Sequence, residues 1–325
     1  MQKNIYKSLC LCASVVILLS ACAPLPAASA ATSGRTAAPA TLTLAPTATA
    51  TGTPSPTPTA TPVPSLAPSV TLPATVTSSP QAVDWHDLPV VPEISAHARD
   101  VYRLGLIQGN DSHAFAKVGD CETITDWFLV DFDLGPRYYS LGPYQDLQAV
   151  IDYFKGSFGR SSLAARRGFN AAALLTSFWS DPTQCKPDET PLACEYRLLR
   201  PSFALIMVGT NDVPHAATFE ENLRKVIEYS LAQNVLPVLV TKADNLEGDE
   251  SINATIARLG REYDVPVWNF WRAVQDLPGH GLVEDGAHMT HAPNHFDDPE
   301  AMKAAWPWRN LTALQMIQAV WQGGK

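Results

Sequence analysis

Phe203-Ala204-Leu205-Ile206-Met207-Val208-Gly209 is a continuous apolar run of strand length that stops at a glycine. A strand with no polar face belongs to a sheet covered on both sides, as parallel sheets are. The chain around it repeats the theme. A helix is expected over about 219–233, with Thr218 and Glu221 as a capping box and Leu223, Ile227 and Leu231 along one face. Residues 235–240 read as the next buried strand. Ser251 then caps a helix carrying Ile252, Ile256, Leu259 and Tyr263, and 265–270 reads as another strand. Upstream, 115–118 is a short apolar-rich run ending at Gly119-Asp120, and Tyr144, Leu147, Ile151 and Phe154 recur at helical spacing. Leu311, Leu314, Ile317 and Trp321 mark a C-terminal helix. Strands alternating with helices predict an α/β fold, a three-layer sandwich with a mostly parallel sheet, over residues 84–325. Function in such a sheet gathers at the carboxyl ends of the strands.

Polar residues of an unusual kind follow two of the strands and precede the last helix. The first set is Gly119-Asp120-Cys121-Glu122-Thr123, the second Gly209-Thr210-Asn211-Asp212, and the third Asp285-Gly286-Ala287-His288. Their order, nucleophile candidate, amide, then Asp-x-x-His, resembles the SGNH, or GDSL-type, hydrolase family, whose fold is flavodoxin-like. The resemblance covers most of residues 84–325. It implies an esterase or acyl hydrolase, with Cys121 standing where the family has its nucleophilic Ser. It further implies His288 as base, Asp285 as the group that orients it, and an oxyanion hole of the Cys121 N–H, the Gly168 N–H and the Asn211 amide. Gly168, in Arg167-Gly168-Phe169-Asn170, is the best match to a loosely kept second block, with Asn170 as an extra donor. Acyl transfer needs these three kinds of group: a nucleophile, a base and donors for the developing oxyanion. A helix beginning near Glu122 would place its dipole behind the Cys121 sulfur, and a nearby His288 would favour the thiolate further. Asp120 is expected to brace the turn.

Plainer readings stand beside these. Cys121 is equally readable as an inert buried thiol or as half of a disulfide. Cys185 and Cys194 lie nine residues apart around a Pro-containing loop, and their pairing is the simplest arrangement that leaves Cys121 out. Ser112, after Leu104-Gly105-Leu106-Ile107, is a rival nucleophile that reads more readily as a turn residue. Asn211 and Asp212 are ordinary loop residues when taken alone. His288, His291 and His295 with Asp297 and Asp298 do not match a common zinc spacing, and no metal is expected. Trp268, Trp271, Trp306 and Trp308 read first as packing and second as sugar-stacking faces. The exchange of Ser for Cys leaves open a different class of function: a degenerate SGNH-like module that binds glycans or other surface partners without catalysis.

The rest of the chain sets the context. Lys3 and Lys7 precede an apolar run over 9–19, too short for a permanent span. Leu19-Ser20-Ala21-Cys22 then looks like a bacterial lipobox. It implies a signal peptide over 1–21, lipidation at Cys22 and a protein held at the outer face of a bacterial membrane. Residues 22–83 are a Thr/Pro/Ala/Ser-rich tether: 12 of the 27 prolines fall there, with no aromatic residue and Arg35 as the sole charge. From Asp84 onward 20 basic residues face 32 acidic ones, a net of −12. That balance excludes a phosphate-tracking nucleic-acid binder. No Walker loop or dinucleotide fingerprint occurs, so no cofactor is expected. An acylated carbohydrate or a small ester is the expected substrate class.

Overall fold

A four-stranded parallel sheet runs through the domain in the order β1-β3-β4-β5. The computed structural model describes residues 84–124 and 126–325; the expected signal peptide (1–21), Cys22 and the expected tether (22–83) lie outside the described residues. The strands are β1 (Asp111–Gly119), β2 (Tyr139–Ser140), β3 (Pro201–Met207), β4 (Leu236–Val240), β5 (Val267–Trp268) and β6 (Asn294–His295). The helices are α1 (Ala96–Ile107), α2 (Val130–Leu134), α3 (Gln148–Tyr153), α4 (Pro191–Leu199), α5 (Ala216–Ala232), α6 (Ser251–Glu262), α7 (Phe270–Val274) and α8 (Ala305–Gly324). β2 and β6 form a separate parallel pair.

The period-two alternation of side chains divides the core into two. Along β3, Phe203, Leu205 and Met207 join one cluster, with α1, α3, α7 and α8. Ala204, Ile206 and Val208 join the other, with α4, α5 and α6. β4 and β5 split the same way, Val238 and Trp268 to the first side and Leu239 and Val267 to the second. This is the mostly parallel three-layer sandwich that the apolar runs predict. α8 is buried around almost its whole circumference, from Ala305 to Val320, because it packs between α1, α3 and α7. Among the described residues no helix is long and apolar enough to cross a membrane.

Four local expectations are corrected. No helix begins at Glu122; the chain passes through turns to the five-residue α2. α5 begins at Ala216, so Thr218 lies inside it and its hydroxyl donates to the His215 carbonyl (3.1 Å) instead of capping. α6 has Glu250 at its N-cap, with Ser251 as its first helical residue. Ser112 belongs to β1, at the end of the strand away from Gly119, and Leu104–Ile107 close α1 rather than form a strand. That removes Ser112 as a nucleophile candidate. Cys185 and Cys194 form a disulfide, and Cys121 keeps its thiol.

Asn310 pins the stretch after the first strand to α8. Its Oδ1 accepts from the Leu129 N–H (2.8 Å), and its Nδ2 donates to the Trp127 carbonyl (3.0 Å) and to Asn294 Oδ1 (2.9 Å). Leu129 is fully buried with φ at +66°, a conformation a leucine adopts only when its surroundings impose it. Asn310→Leu would keep the volume and strand three buried polar groups. It should lower the unfolding free energy by about 2–4 kcal/mol, read from urea denaturation at fixed pH; a loss under about 0.5 kcal/mol would show that these groups find other partners.

Candidate active site

The first two motifs follow β1 and β3 at their carboxyl ends and are tied to each other by a hydrogen bond, while the third lies on a hairpin ahead of α8. Gly119 closes β1 with φ at +152°, and a Cβ there would sit 2.0 Å from the Met207 carbonyl oxygen and 2.7 Å from Thr123 Oγ1. Only glycine lets the turn approach β3 so closely. Beyond it, Asp120 Oδ1 accepts from the Glu122 N–H (3.0 Å), the Asp120 carbonyl from the Thr123 N–H (3.1 Å), and Asp120 Oδ2 from Asn211 Nδ2 (3.3 Å). Asp120 therefore ties the Cys121 turn to the amide block. Its almost complete burial pushes its carboxyl up to about 6. Cys121 itself is half-buried. The helix that was to place a dipole behind its sulfur is absent, and two buried carboxyl groups flank it in sequence.

The second block is fastened to the first along the same edge. The Gly119 N–H donates to the Ala164 carbonyl (3.0 Å) and the Arg166 N–H to the Gly119 carbonyl (3.1 Å). Asp212, buried and pushed up to about 6 by desolvation, accepts from the Ala171 N–H (3.0 Å) and so joins the Gly168 loop to the Gly209–Asp212 stretch. Glu195, on α4, holds Arg160 and the Leu163 N–H (2.9 Å) on the near side of the loop. Asn170 serves as a local cap, its Oδ1 accepting from the Ala173 N–H (2.9 Å).

Asn211 is set from behind by a buried cluster. Thr210 Oγ1 donates to Asp244 Oδ2 (2.6 Å), and Lys242 Nζ donates to Asp244 Oδ1 (2.6 Å), to the Asp244 carbonyl (2.9 Å) and to Glu247 (2.5 Å). Lys242 is wholly buried at the carboxyl end of β4. A lysine can occupy that place charged only because two carboxylates surround it.

Asp285 and His288 form a pair on a tight hairpin. Asp285 Oδ1 accepts the Ala287 and His288 N–H groups (both 2.9 Å), and Oδ2 lies 2.7 Å from His288 Nδ1. Burial works against the charge on Asp285, but these bonds outweigh it and hold the carboxyl below its usual range. With Nδ1–H directed at the carboxylate, the lone pair is on Nε2, which has no partner among the described residues. The stem bonds Val283 N–H to the His288 carbonyl (2.9 Å), and the following Thr290 is caught by the Ala305 and Trp306 N–H groups at the start of α8 (2.9 and 3.1 Å).

Glu122, read from the sequence only as a helix start, and Arg309, not singled out there, lie between this hairpin and the Cys121 turn. Glu122 is buried, and the Met289 N–H lies near enough to its carboxyl to work against the upward shift of its proton affinity, so the residue after Cys121 neighbours the residue after His288. Its Oε1 has no hydrogen-bond partner among the described residues. Arg309, fully buried on α8, donates from Nε to the Glu122 carbonyl (3.1 Å). Its guanidinium lies among Phe128, Phe270 and Trp268, 4.5, 5.2 and 5.4 Å from their ring centres. Burial pulls it down to about 10, against the opposing pull of Glu122, Asp120 and Cys121. The sequence trace of this arrangement is an arginine standing as the one charged residue of α8.

The aromatic residues serve mainly as packing. Trp268 and Trp306 are buried, and the Trp268 and Trp308 indoles donate to Thr312 Oγ1 (3.1 Å) and to the Met302 carbonyl (2.8 Å). Trp127, not singled out by sequence, is 48% exposed and lies against His291 (ring centres 5.0 Å apart).

Desolvation, reinforced by Asp120, pushes the Glu122 carboxyl up to about 8 from an ordinary value of 4.5. Folding therefore binds a proton between those values, and stability falls as the pH rises through that window. Asp120 and Asp212, raised in the same sense, steepen the lower part of the fall. Glu122→Gln keeps the shape and removes the titration. Urea melts between about pH 5 and about pH 8 should show a shallower loss of stability in the variant than in wild type; identical slopes would mean that Glu122 is already ionised in the fold.

No protein-family model matches the chain, and no curated protein matches it. Solved structures are similar to it at low identity. An acetyl xylan esterase from Geobacillus stearothermophilus is 15% identical with a TM-score of 0.42, over 63% of this chain and 94% of that one. The esterase EstA from a Pseudoalteromonas species is 14% identical with a TM-score of 0.38, over 63% and 97%. A GDSL-like lipase from Bacteroides thetaiotaomicron is 14% identical with a TM-score of 0.35, over 68% and 95%. At these scores the functional reading rests on the geometry of the strand-end site and not on the neighbours.

Proposed function

We propose that the domain is an ester hydrolase of SGNH type, with Cys121 as nucleophile, His288 as base and Asp285 orienting the imidazole. What supports this reading is that the Met289 N–H lies near enough to the Glu122 carboxyl to oppose its upward shift, so the residue after His288 neighbours the residue after Cys121. His288 Nε2 takes the thiol proton as sulfur attacks the ester carbonyl carbon. The carbonyl π electrons move onto oxygen, where the Asn211 amide and the Gly168 and Cys121 N–H groups receive them. Collapse of the intermediate breaks the ester C–O bond, and the leaving alkoxide takes the proton from His288. Water then attacks the thioester, giving its proton to Nε2, and the expelled thiolate takes that proton back. Asp285 stabilises the imidazolium in both halves. In the same proposal, Cys22 carries the lipid that holds the domain at an outer membrane face, with 22–83 as spacer, and the ester is borne on a glycan.

The acid-rich surroundings of Cys121 favour a second reading, in which the pocket binds acylated glycans without turnover. p-Nitrophenyl acetate hydrolysis separates the two. The hydrolase reading expects turnover by wild type, a loss of about 10²–10⁴ in kcat for His288→Ala and of about 10²–10³ for Asn211→Ala. Iodoacetamide labelling of Cys121 should show an apparent pKa below the free-thiol value of about 8.5, raised in His288→Ala. Inertness of both wild type and Cys121→Ser would end the hydrolase reading. Activity in Cys121→Ser alone would identify a decayed enzyme. For the anchor, Cys22→Ser should move the protein from the membrane fraction to the soluble fraction; an unchanged distribution would remove lipidation at this position.

A further inference from the structure

Next to the Cys121 turn lies a cavity of about 440 Å³ lined by Arg166, Arg167, Gly168, Phe169, Asn170 and Trp179, among others. It is of the size that small-molecule sites have. No carboxylate is among its lining residues, although the domain carries a net charge of −12. What faces it instead is a set of donors. Arg167 is paired with Asp126 (2.5 Å). Arg166 is exposed, and its guanidinium makes no ion pair or hydrogen bond among the described residues. Asn170 spends its Oδ1 on the Ala173 N–H (2.9 Å), which leaves its Nδ2 as a donor. One wall is aromatic: Trp179 lines the cavity and is 44% exposed, with the Phe178 ring beside it (ring centres 5.1 Å apart). The backbone of Arg166 is fixed to the Gly119 carbonyl (3.1 Å), two residues before Cys121.

We propose that this cavity is a subsite for a carboxylate-bearing sugar of the glycan that carries the ester, with Arg166 as the anion contact and Trp179 as the face on which the ring stacks. A guanidinium offers a planar fork that a carboxylate matches with two hydrogen bonds. An indole offers a flat apolar wall to the C–H face of a pyranose, and Asn170 Nδ2 offers a donor to its hydroxyls. The location beside the cysteine turn rests on the proposed hydrolase reading, since it sets the acidic sugar next to the acylated one. Binding itself does not depend on turnover.

The test is calorimetric titration of the full-length protein with unacylated oligogalacturonide and, in parallel, a neutral xylo-oligosaccharide of equal length. The acidic ligand should bind at least about tenfold more tightly than the neutral one, and should weaken as salt rises from about 0.05 M to about 0.5 M. Arg166→Gln should weaken it about ten- to a hundredfold and Arg166→Lys less, because charge survives but the fork does not. Trp179→Ala should weaken both ligands. Equal affinity for the two sugars, no binding of the acidic one, or full affinity in Arg166→Gln would overturn the subsite. So would tight binding of a phosphorylated sugar without binding of the oligogalacturonide. Thermal melts of the variants check that each is folded. Loss of esterase activity with these affinities intact would instead overturn only the hydrolase reading.

Discussion

The buried guanidinium of Arg309 is the constraint around which the strand-end site is arranged. A charge removed from water persists only where opposite charge and aromatic faces replace the solvent. Here Phe128, Trp268 and Phe270 surround the group, and Asp120 and Glu122 oppose its loss of charge when they are ionised. Its Nε fixes the Glu122 carbonyl, and the Glu122 carboxyl lies near the Met289 N–H. One side chain on α8 thereby holds the backbone of a loop that lies far away in sequence. Asn310, the next residue, does the same for Trp127 and Leu129. Neighbouring positions on a helix point in different directions, so one turn of α8 serves two stretches of chain.

Around that turn the charges are unbalanced. Five carboxyl groups, Asp120, Glu122, Asp212, Asp244 and Glu247, stand against Lys242 and Arg309. Three of them, Asp120, Glu122 and Asp212, have their protons held above the usual range by burial. The Lys242 cluster keeps its own ion pairs and sits behind Thr210. The edge is thus rigid by hydrogen bonding, and much of its acid is kept neutral by desolvation.

Much of the fold was legible because buried parallel strands are apolar without interruption. The run through Phe203 and Val208 sends alternate residues to two clusters, and that needs no long-range information. The turn after Cys121 was misread for a reason that lies elsewhere in the chain. Asn310 and Arg309, more than 180 residues downstream, claim the backbone groups of Glu122, Trp127 and Leu129 and hold them out of a helix. The motif residues themselves were visible by type and order. Glu122 was not, because a buried, proton-holding glutamate looks in sequence like any surface acid.

The Cys185–Cys194 bridge gives the second block a footing of a different kind. Closing a loop of nine residues removes about 2–3 kcal/mol of conformational freedom from the unfolded chain. Cys194 lies on α4 immediately before Glu195, the carboxylate that grips Arg160 and Leu163 ahead of Gly168. A reducing milieu would open that clasp and slacken the start of the helix. The loop that carries Gly168 would then lose its support while the sheet stayed whole, so the oxidation state of the surroundings reaches this cavity through a bond that lies outside it.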